Sequence, residues 1–280
     1  MPASQPKSFI LDVYGSCVRQ LGGWLAIAEL VDIMADLGQD SQAVRSSISR
    51  MKKSGLLRAE TRRGSAGYAL TEQALEILDD GDVRIFHSEQ PAVLADGWAM
   101  AVFSVPENER EQRHQLRSRL IWLGFGQVAP GVWIAPRRVL TETRRLLQRT
   151  GLSRYVDLFA ADYAGFDEVR ELVARTWDLA QLEALYRDFI TEHSGTLRAW
   201  RNGGAGRRDR DAFVDYTLAL SAWRRLPYRD PGLPPELLPR RWAGQRAREL
   251  FAGLRTRLEP RARAHVHAAT AGPRARSGAR

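Results

Sequence analysis

The stretch WLAIAELVDIMADLGQDSQAVRSSISRMKKSGLLRAETRRGSAGYALT, running from Trp24 to Thr71, decides how this chain is read. From Leu25 to Leu37 the apolar residues Ile27, Leu30, Val31, Met34 and Leu37 recur at helical spacing, so one face of a helix is buried. Gly38 fits the left-handed residue that ends such a helix, and Asp40 or Ser41 fits the N-cap of the next. No Glu or Gln stands three residues further on, so there is no capping box. Along Ser41 to Ser54, the residues Val44, Ile48 and Met51 share a narrow arc and form the core face. At about 100° per residue, Gln42, Ser46, Ser49 and Lys53 lie opposite, with Arg45 and Arg50 beside them.

Leu56 to Arg63 and Gly67 to Thr71 read as two strands joined by Gly64-Ser65-Ala66-Gly67. That loop is small and flexible enough to approach a phosphate or enter a minor groove, with Arg62 and Arg63 at its edge. The whole pattern predicts a winged helix-turn-helix, whose second helix enters the major groove of duplex DNA. Charge placement agrees. Between Ser41 and Leu70 the basic residues are Arg45, Arg50, Lys52, Lys53, Arg58, Arg62 and Arg63, and Glu60 is the only acid. The flanks are acidic, with Glu29, Asp32, Asp36 and Asp40 before and Glu72, Glu76, Asp79, Asp80 and Asp82 after. A basic stripe on a near-neutral module suits a phosphate-tracking surface. The candidate DNA contacts are Gln42, Arg45, Ser46, Ser49, Arg50 and Lys53 on the helix, and Arg62 and Arg63 on the wing. A solvated amphipathic helix, or a winged helix that binds protein, would share the helical pattern; the wing favours DNA.

At 280 residues the chain is long enough for two or three domains. Its single cysteine, Cys17, cannot form an internal disulfide. With no signal peptide and no apolar run of membrane length, a cytoplasmic protein away from membranes is expected. The net charge of +9 is less informative than the local stripe. From Arg255 onward there are seven Arg and one Glu, which leaves about +3 for the remainder. Beyond Glu259 this Arg-, Ala-, Gly- and Pro-rich tail, residues 259–280, reads as disordered. His265 and His267 within it lack clustered partners, so no metal site is expected.

Residues 1–87 thus form the DNA-binding domain. In residues 98–165, Trp98 to Val105 is a strand-length apolar run, and Glu107 to Leu123 is helical. Gly126 to Ala129 and Val132 to Ala135 are short strands turned by Pro130-Gly131. Arg137 to Arg149 is a helix and Val156 to Asp162 a last strand. The order βαββαβ is the ferredoxin-like arrangement, two helices on one face of an antiparallel sheet. Residues 166–258 read as a helical C-terminal domain, with Asp178 capping a helix and a separating glycine run at Gly203-Gly204-Ala205-Gly206. The fold class is therefore α+β. Some ferredoxin-like proteins are nucleases with an acid at the end of the first strand; here Glu107 lies past Pro106 and reads as a helix N-terminal acid instead. No nucleophile–base pair, carboxylate cluster or metal spacing supports the alternative of a nucleic-acid- or acyl-CoA-processing enzyme, so no catalytic residue is assigned.

Nearly the whole chain resembles the PaaX-type transcriptional repressors, a family first known from phenylacetic-acid degradation. Ser8-Phe9-Ile10-Leu11 with Tyr14-Gly15 is similar to the family's opening helix, and Val44-Arg45-Ser46, Ser49-Arg50-Met51 and Gly55 to its recognition helix. Trp223-Arg224-Arg225, Asp230-Pro231, Leu233-Pro234, Leu237-Leu238-Pro239, Trp242 and Gly244 are similar to its C-terminal signature. The glycine run and the Arg-rich tail depart from the family pattern. The resemblance implies a homodimeric repressor bound to a double-stranded operator and released by an aromatic acyl-CoA effector, phenylacetyl-CoA or a related aryl-CoA thioester. It supplies no effector-contacting residues. A CoA ester combines phosphates with an apolar acyl group, so its site should mix Arg with aromatics. The expected place is a cleft between the middle and C-terminal domains, with Trp133, Trp177, Trp223 and Trp242 as reporters.

Overall fold

In a computed structural model of the chain, residues 6–62, 64–86, 92–201 and 206–271 are described. Arg63, the residues 203–205 of the glycine run and residues 272–280 of the tail lie outside them. Helix α1 (Pro6–Val13) passes into one π-helical turn, Tyr14–Val18, which buries Tyr14, Cys17 and Val18 together. Burial pushes the Cys17 thiol up to about 11, so it is a neutral packing group. Strand β1 (Trp24–Ala26) precedes α2 (Ile27–Asp36), α3 (Ser41–Lys53), β2 (Leu57–Arg62), β3 (Ser65–Leu70) and α4 (Glu72–Phe86). These three strands form one antiparallel sheet in the order β1-β3-β2.

The sheet corrects two expectations. Leu25 and Ala26, read as the start of the helix, are instead strand residues together with Trp24. Three residues are too few to show strand alternation, and Ile27 onward carries the helical signal alone. The supposed loop Ser65-Ala66-Gly67 is also strand, because Arg62 pairs with Ser65. The reversal is therefore tighter than four residues. Gly67 has a packing role there: a Cβ on it would lie 2.3 Å from the Leu25 carbonyl oxygen and 2.5 Å from the Trp24 ring. Gly67→Ala is expected to cost about 3 kcal/mol by overpacking, read as a lower denaturant midpoint at unchanged slope.

Next come β4 (Trp98–Phe103), α5 (Arg110–Trp122), β5 (Gly126–Ala129), β6 (Val132–Pro136), α6 (Leu140–Arg149) and β7 (Val156–Ala161). The four strands form an antiparallel sheet ordered β5-β6-β4-β7. Beneath the two helices the strands carry small residues: Ala99 is opposite Ala135, and Ala101 opposite Trp133. Leu116 and Leu120 of α5 and Leu146 and Leu147 of α6 pack onto them. The other face holds Trp98 and Ile134 against Leu172 and Val173 of α7 (Val169–Thr176), together with Leu233 and Leu237. Then follow α8 (Leu179–Arg201), α9 (Asp209–Trp223) and α10 (Ala243–Thr270). Asp178 accepts the Gln181 N–H at 2.9 Å at the start of α8, the cap expected there.

The chain divides into two compact units. One comprises residues 1–83, 189–223 and 246–280, the other residues 84–188 and 224–245. The first break, between residues 83 and 84, lies close to the boundary expected near 87; the other breaks fall within the expected C-terminal segment. Residues 98–165 stay together in the second unit, but the helical segment 166–258 is shared out, much of α8, α9 and α10 packing with the N-terminal residues.

The largest correction is the tail. Residues 259–270 continue α10 straight through Pro260, with Leu258, Ala262 and Val266 fully buried. A helix-interior proline costs about 3 kcal/mol, and here the apolar stripe offsets it. Polar contacts fix the same end. Arg263 donates to the Ser16 carbonyl at 2.9 Å and pairs with Glu259, while Arg261 pairs with Asp209 at 2.7 Å. His265 Nε2 lies 2.7 Å from Asp36 Oδ2, and its ring packs beside Phe213.

Candidate nucleic-acid interface

Asp40 builds the start of α3. Its carboxylate accepts the Gln42 and Ala43 N–H groups, both at 2.9 Å, and no capping box is needed. Gly38 takes φ 70, reversing the chain between α2 and α3. Val44, Ser47, Ile48 and Met51 are buried, which fixes the rotation of the helix. Gln42, Arg45, Ser46, Ser49, Arg50 and Lys53 are then all exposed along one side. Arg45 and Lys53 have no ion pair among the described residues; Arg50 donates only to Ser47 Oγ, at 3.1 Å. Lys52 is exposed two turns beyond Arg45 on the same strip of α3 and belongs with the candidates; its spacing of seven from Arg45 was the signal that could have placed it.

The strand arginine behaves differently. Arg62 Nε donates to Glu60 Oε1 at 2.5 Å, its NH1 to the Gly22 carbonyl at 3.3 Å, and its guanidinium lies 5.7 Å from the Trp24 ring centroid. Arg58 pairs with the other Glu60 oxygen at 2.5 Å. The Arg62 hydrogen bond, with help from Arg58, holds the Glu60 carboxyl below its ordinary range. Arg62, a candidate DNA contact, is thus engaged with Glu60, Gly22 and Trp24 while remaining partly exposed. Whether Arg63 joins α3 falls outside the described residues.

Several of the flanking carboxylates are engaged in holding the unit together. Glu29 accepts the Ala26 N–H at 2.9 Å at the head of α2, and Asp40 caps α3. Asp36 pairs with Arg210 at 2.5 Å and with His265. Asp79 and Asp82 both hold Arg19.

In the second unit, two hollows share Trp177 as a wall. One of about 290 Å³ is lined by Phe125, Trp177, Asp178, Leu182, Tyr228 and Arg229. The other, of about 560 Å³, is lined by Arg170, Val173, Arg175, Trp177, Leu237 and Leu238. Trp177 stacks on Trp98 with centroids 6.1 Å apart and donates to the Gly124 carbonyl at 3.3 Å. Of the four reporter tryptophans expected from sequence, Trp177 lines these hollows. Trp133 and Trp223 are core residues, and Trp242 packs edge-on against Tyr186.

Comparison with known proteins covers the same ground. Residues 5–74 match the family described as PaaX-like protein, residues 91–173 the PaaX protein central Cas2-like domain, and residues 177–268 the PaaX-like protein C-terminal domain. The transcriptional repressor PaaX of Escherichia coli (strain K12) is 28% identical over 262 residues, which are 92% of this chain and 82% of that protein. The uncharacterized protein Rv0674 from Mycobacterium tuberculosis has a TM-score of 0.61 at 20% identity, covering 94% of this chain and 99% of that one. The last likeness shows a shared fold.

Proposed function

We propose that this chain, which belongs to the PaaX-type transcriptional repressor family, is a dimeric repressor of a phenylacetic-acid or related aromatic-acid catabolic operon, released from its operator by an aryl-CoA thioester. It is a non-enzymatic regulator acting in the cytoplasm; no helix among the described residues is long and apolar enough to cross a membrane. One observation carries the reading. The exposed side of α3 presents Gln42, Ser46 and Ser49 among Arg45, Arg50 and Lys53, none of which has an ion pair among the described residues. Such side chains bond base edges and phosphates. We read α2, α3 and the β2–β3 ribbon as a winged helix-turn-helix, and the β5-β6-β4-β7 sheet with α5 and α6 as ferredoxin-like. A dimer would set two α3 helices on half-sites about 34 Å apart or a multiple of it.

The effector reading draws support from the Trp177 hollows, which place aromatic walls beside Arg170, Arg175 and Arg229. An effector shifts an equilibrium only by its difference in affinity between two arrangements. A panel of aryl-CoA thioesters and their free acids, titrated into the full-length protein on its own promoter DNA, tests the proposal. At least one thioester should weaken operator binding tenfold or more and change tryptophan emission, while its free acid does neither. Release by the free acid, or by no thioester at all, would remove the effector class while leaving the repressor reading in place. Failure to bind promoter DNA above random DNA would remove the repressor reading itself.

A further inference from the structure

The helical layer of the second unit carries a charge that the α3 surface does not account for. Between Glu107 and Arg154 there are ten Arg and four Glu, with no Lys or Asp. The next segment, Val156 to Glu168, reverses this, holding Asp157, Asp162, Asp167 and Glu168 with no cation. Charge is therefore segregated locally, basic over α5 and α6 and acidic over β7 and the segment up to Glu168. Several of the arginines have local partners: Arg110 and Arg113 pair with Glu107, and Arg154 with Glu109. Arg117, Arg119, Arg144 and Arg145 are exposed and have no ion pair among the described residues. Arg117 is steadied 5.9 Å over the Trp133 ring, on the rim of the sheet core.

We infer that the outer face of α5 and α6 is a second DNA-binding surface, one that contacts phosphates and reads no bases; this rests on the repressor reading above. Three features favour an extended polyanion over solvent or a small phosphate ester. Arg187 pairs with Glu183 one turn away at 2.7 Å, whereas none of these four has such a pair among the described residues, although Glu142 lies one turn from Arg145. Arg117 and Arg119 lie to either side of the crest at Ser118, so their charges spread along and across a helix of about 20 Å. None of the four lines either Trp177 hollow; all four stand exposed on the outer sides of α5 and α6. Duplex DNA, with a charge every ~1.7 Å of axis, matches a convex and dispersed set of cations.

The test uses the full-length protein with Arg117, Arg119, Arg144 and Arg145 all changed to Gln, on a random-sequence duplex of about 60 base pairs over a range of salt. Wild type and variant should melt alike. Each lost phosphate contact should flatten the log-affinity against log-salt line by about 0.9, so the slope should fall by roughly 2 to 4 and low-salt affinity at least tenfold. Preference for operator over random DNA should be retained. If slope and affinity match wild type, these are solvated arginines and the inference is overturned. Loss of duplex RNA binding with DNA binding intact would also overturn it. A wild-type protein that shows no operator preference, yet loses random-DNA affinity in the variant, would remove the repressor reading and leave this surface standing.

Discussion

Ending the chain after Leu258 should lower the melting temperature of the first unit by roughly 10 °C. The deleted residues include Ala262 and Val266, both fully buried, and their loss also uncovers what they covered. Burial of such groups is worth about 3–5 kcal/mol in total, and in a unit of this size each kcal/mol moves the midpoint by about 2–4 °C. The deletion also removes Glu259, Arg263 and His265, which tie α10 to Ser16 and Asp36. Asp36 closes α2, so the loss reaches the helix that supports α3. Circular dichroism melts of the shortened chain check this, with Val266→Asp as a point variant that keeps every arginine in place. An unchanged midpoint in both would mean that α10 does not hold the unit together. By the same reasoning residues 1–87 alone should fold poorly, since they lack α9 and α10.

The sequence was most legible where periodicity is long and chemically redundant. Val44, Ile48 and Met51 rotate α3 unambiguously, and Asp40 and Gly38 mark its start twice over. The succession of strands and helices around the second sheet was equally plain, since three of its four strands are set off by Pro or Gly. What failed did so for identifiable reasons. Trp24 to Ala26 gives too short a strand to alternate, and Gly67 carries the composition of a loop although close approach to Leu25 and Trp24 requires it. The tail hid its structure behind Arg, Pro260 and a low apolar content. A signal was present: Leu250, Leu254, Leu258, Ala262 and Val266 fall every fourth residue, one narrow buried stripe. Only tertiary packing of that stripe makes the proline tolerable, and no local pattern shows what it packs against. At the candidate site the helix residues could be placed from spacing, whereas the partner of Arg62 could not, because Glu60 lies on the same β-strand two residues away and the choice between phosphate and carboxylate is geometric.

Arg45→Ala should weaken operator binding by about 1–3 kcal/mol, roughly 5- to 150-fold, with specificity relaxed at one position. Arg45 is exposed near the start of α3, beside Gln42 and Ser49, and spends its charge on no neighbour. A recognition helix contacts bases with its N-terminal residues, so this arginine has both the placement and the forked donors for a guanine edge. Lys53, at the C-terminal end of α3, should behave otherwise: its change to Ala weakens every sequence alike and flattens the salt slope by about 0.9. The ribbon gives the contrast that separates a DNA surface from an exposed basic helix. Because Arg58 and Arg62 are both spent on Glu60, Glu60→Gln removes one negative charge and frees two cations. Operator affinity should then rise several-fold, with a steeper salt dependence, as Arg45→Ala makes it fall. Binding isotherms of the three variants on one operator at two salt concentrations decide the matter. If Arg45→Ala and Lys53→Ala bind like wild type and Glu60→Gln gains nothing, α3 and its ribbon do not face the DNA.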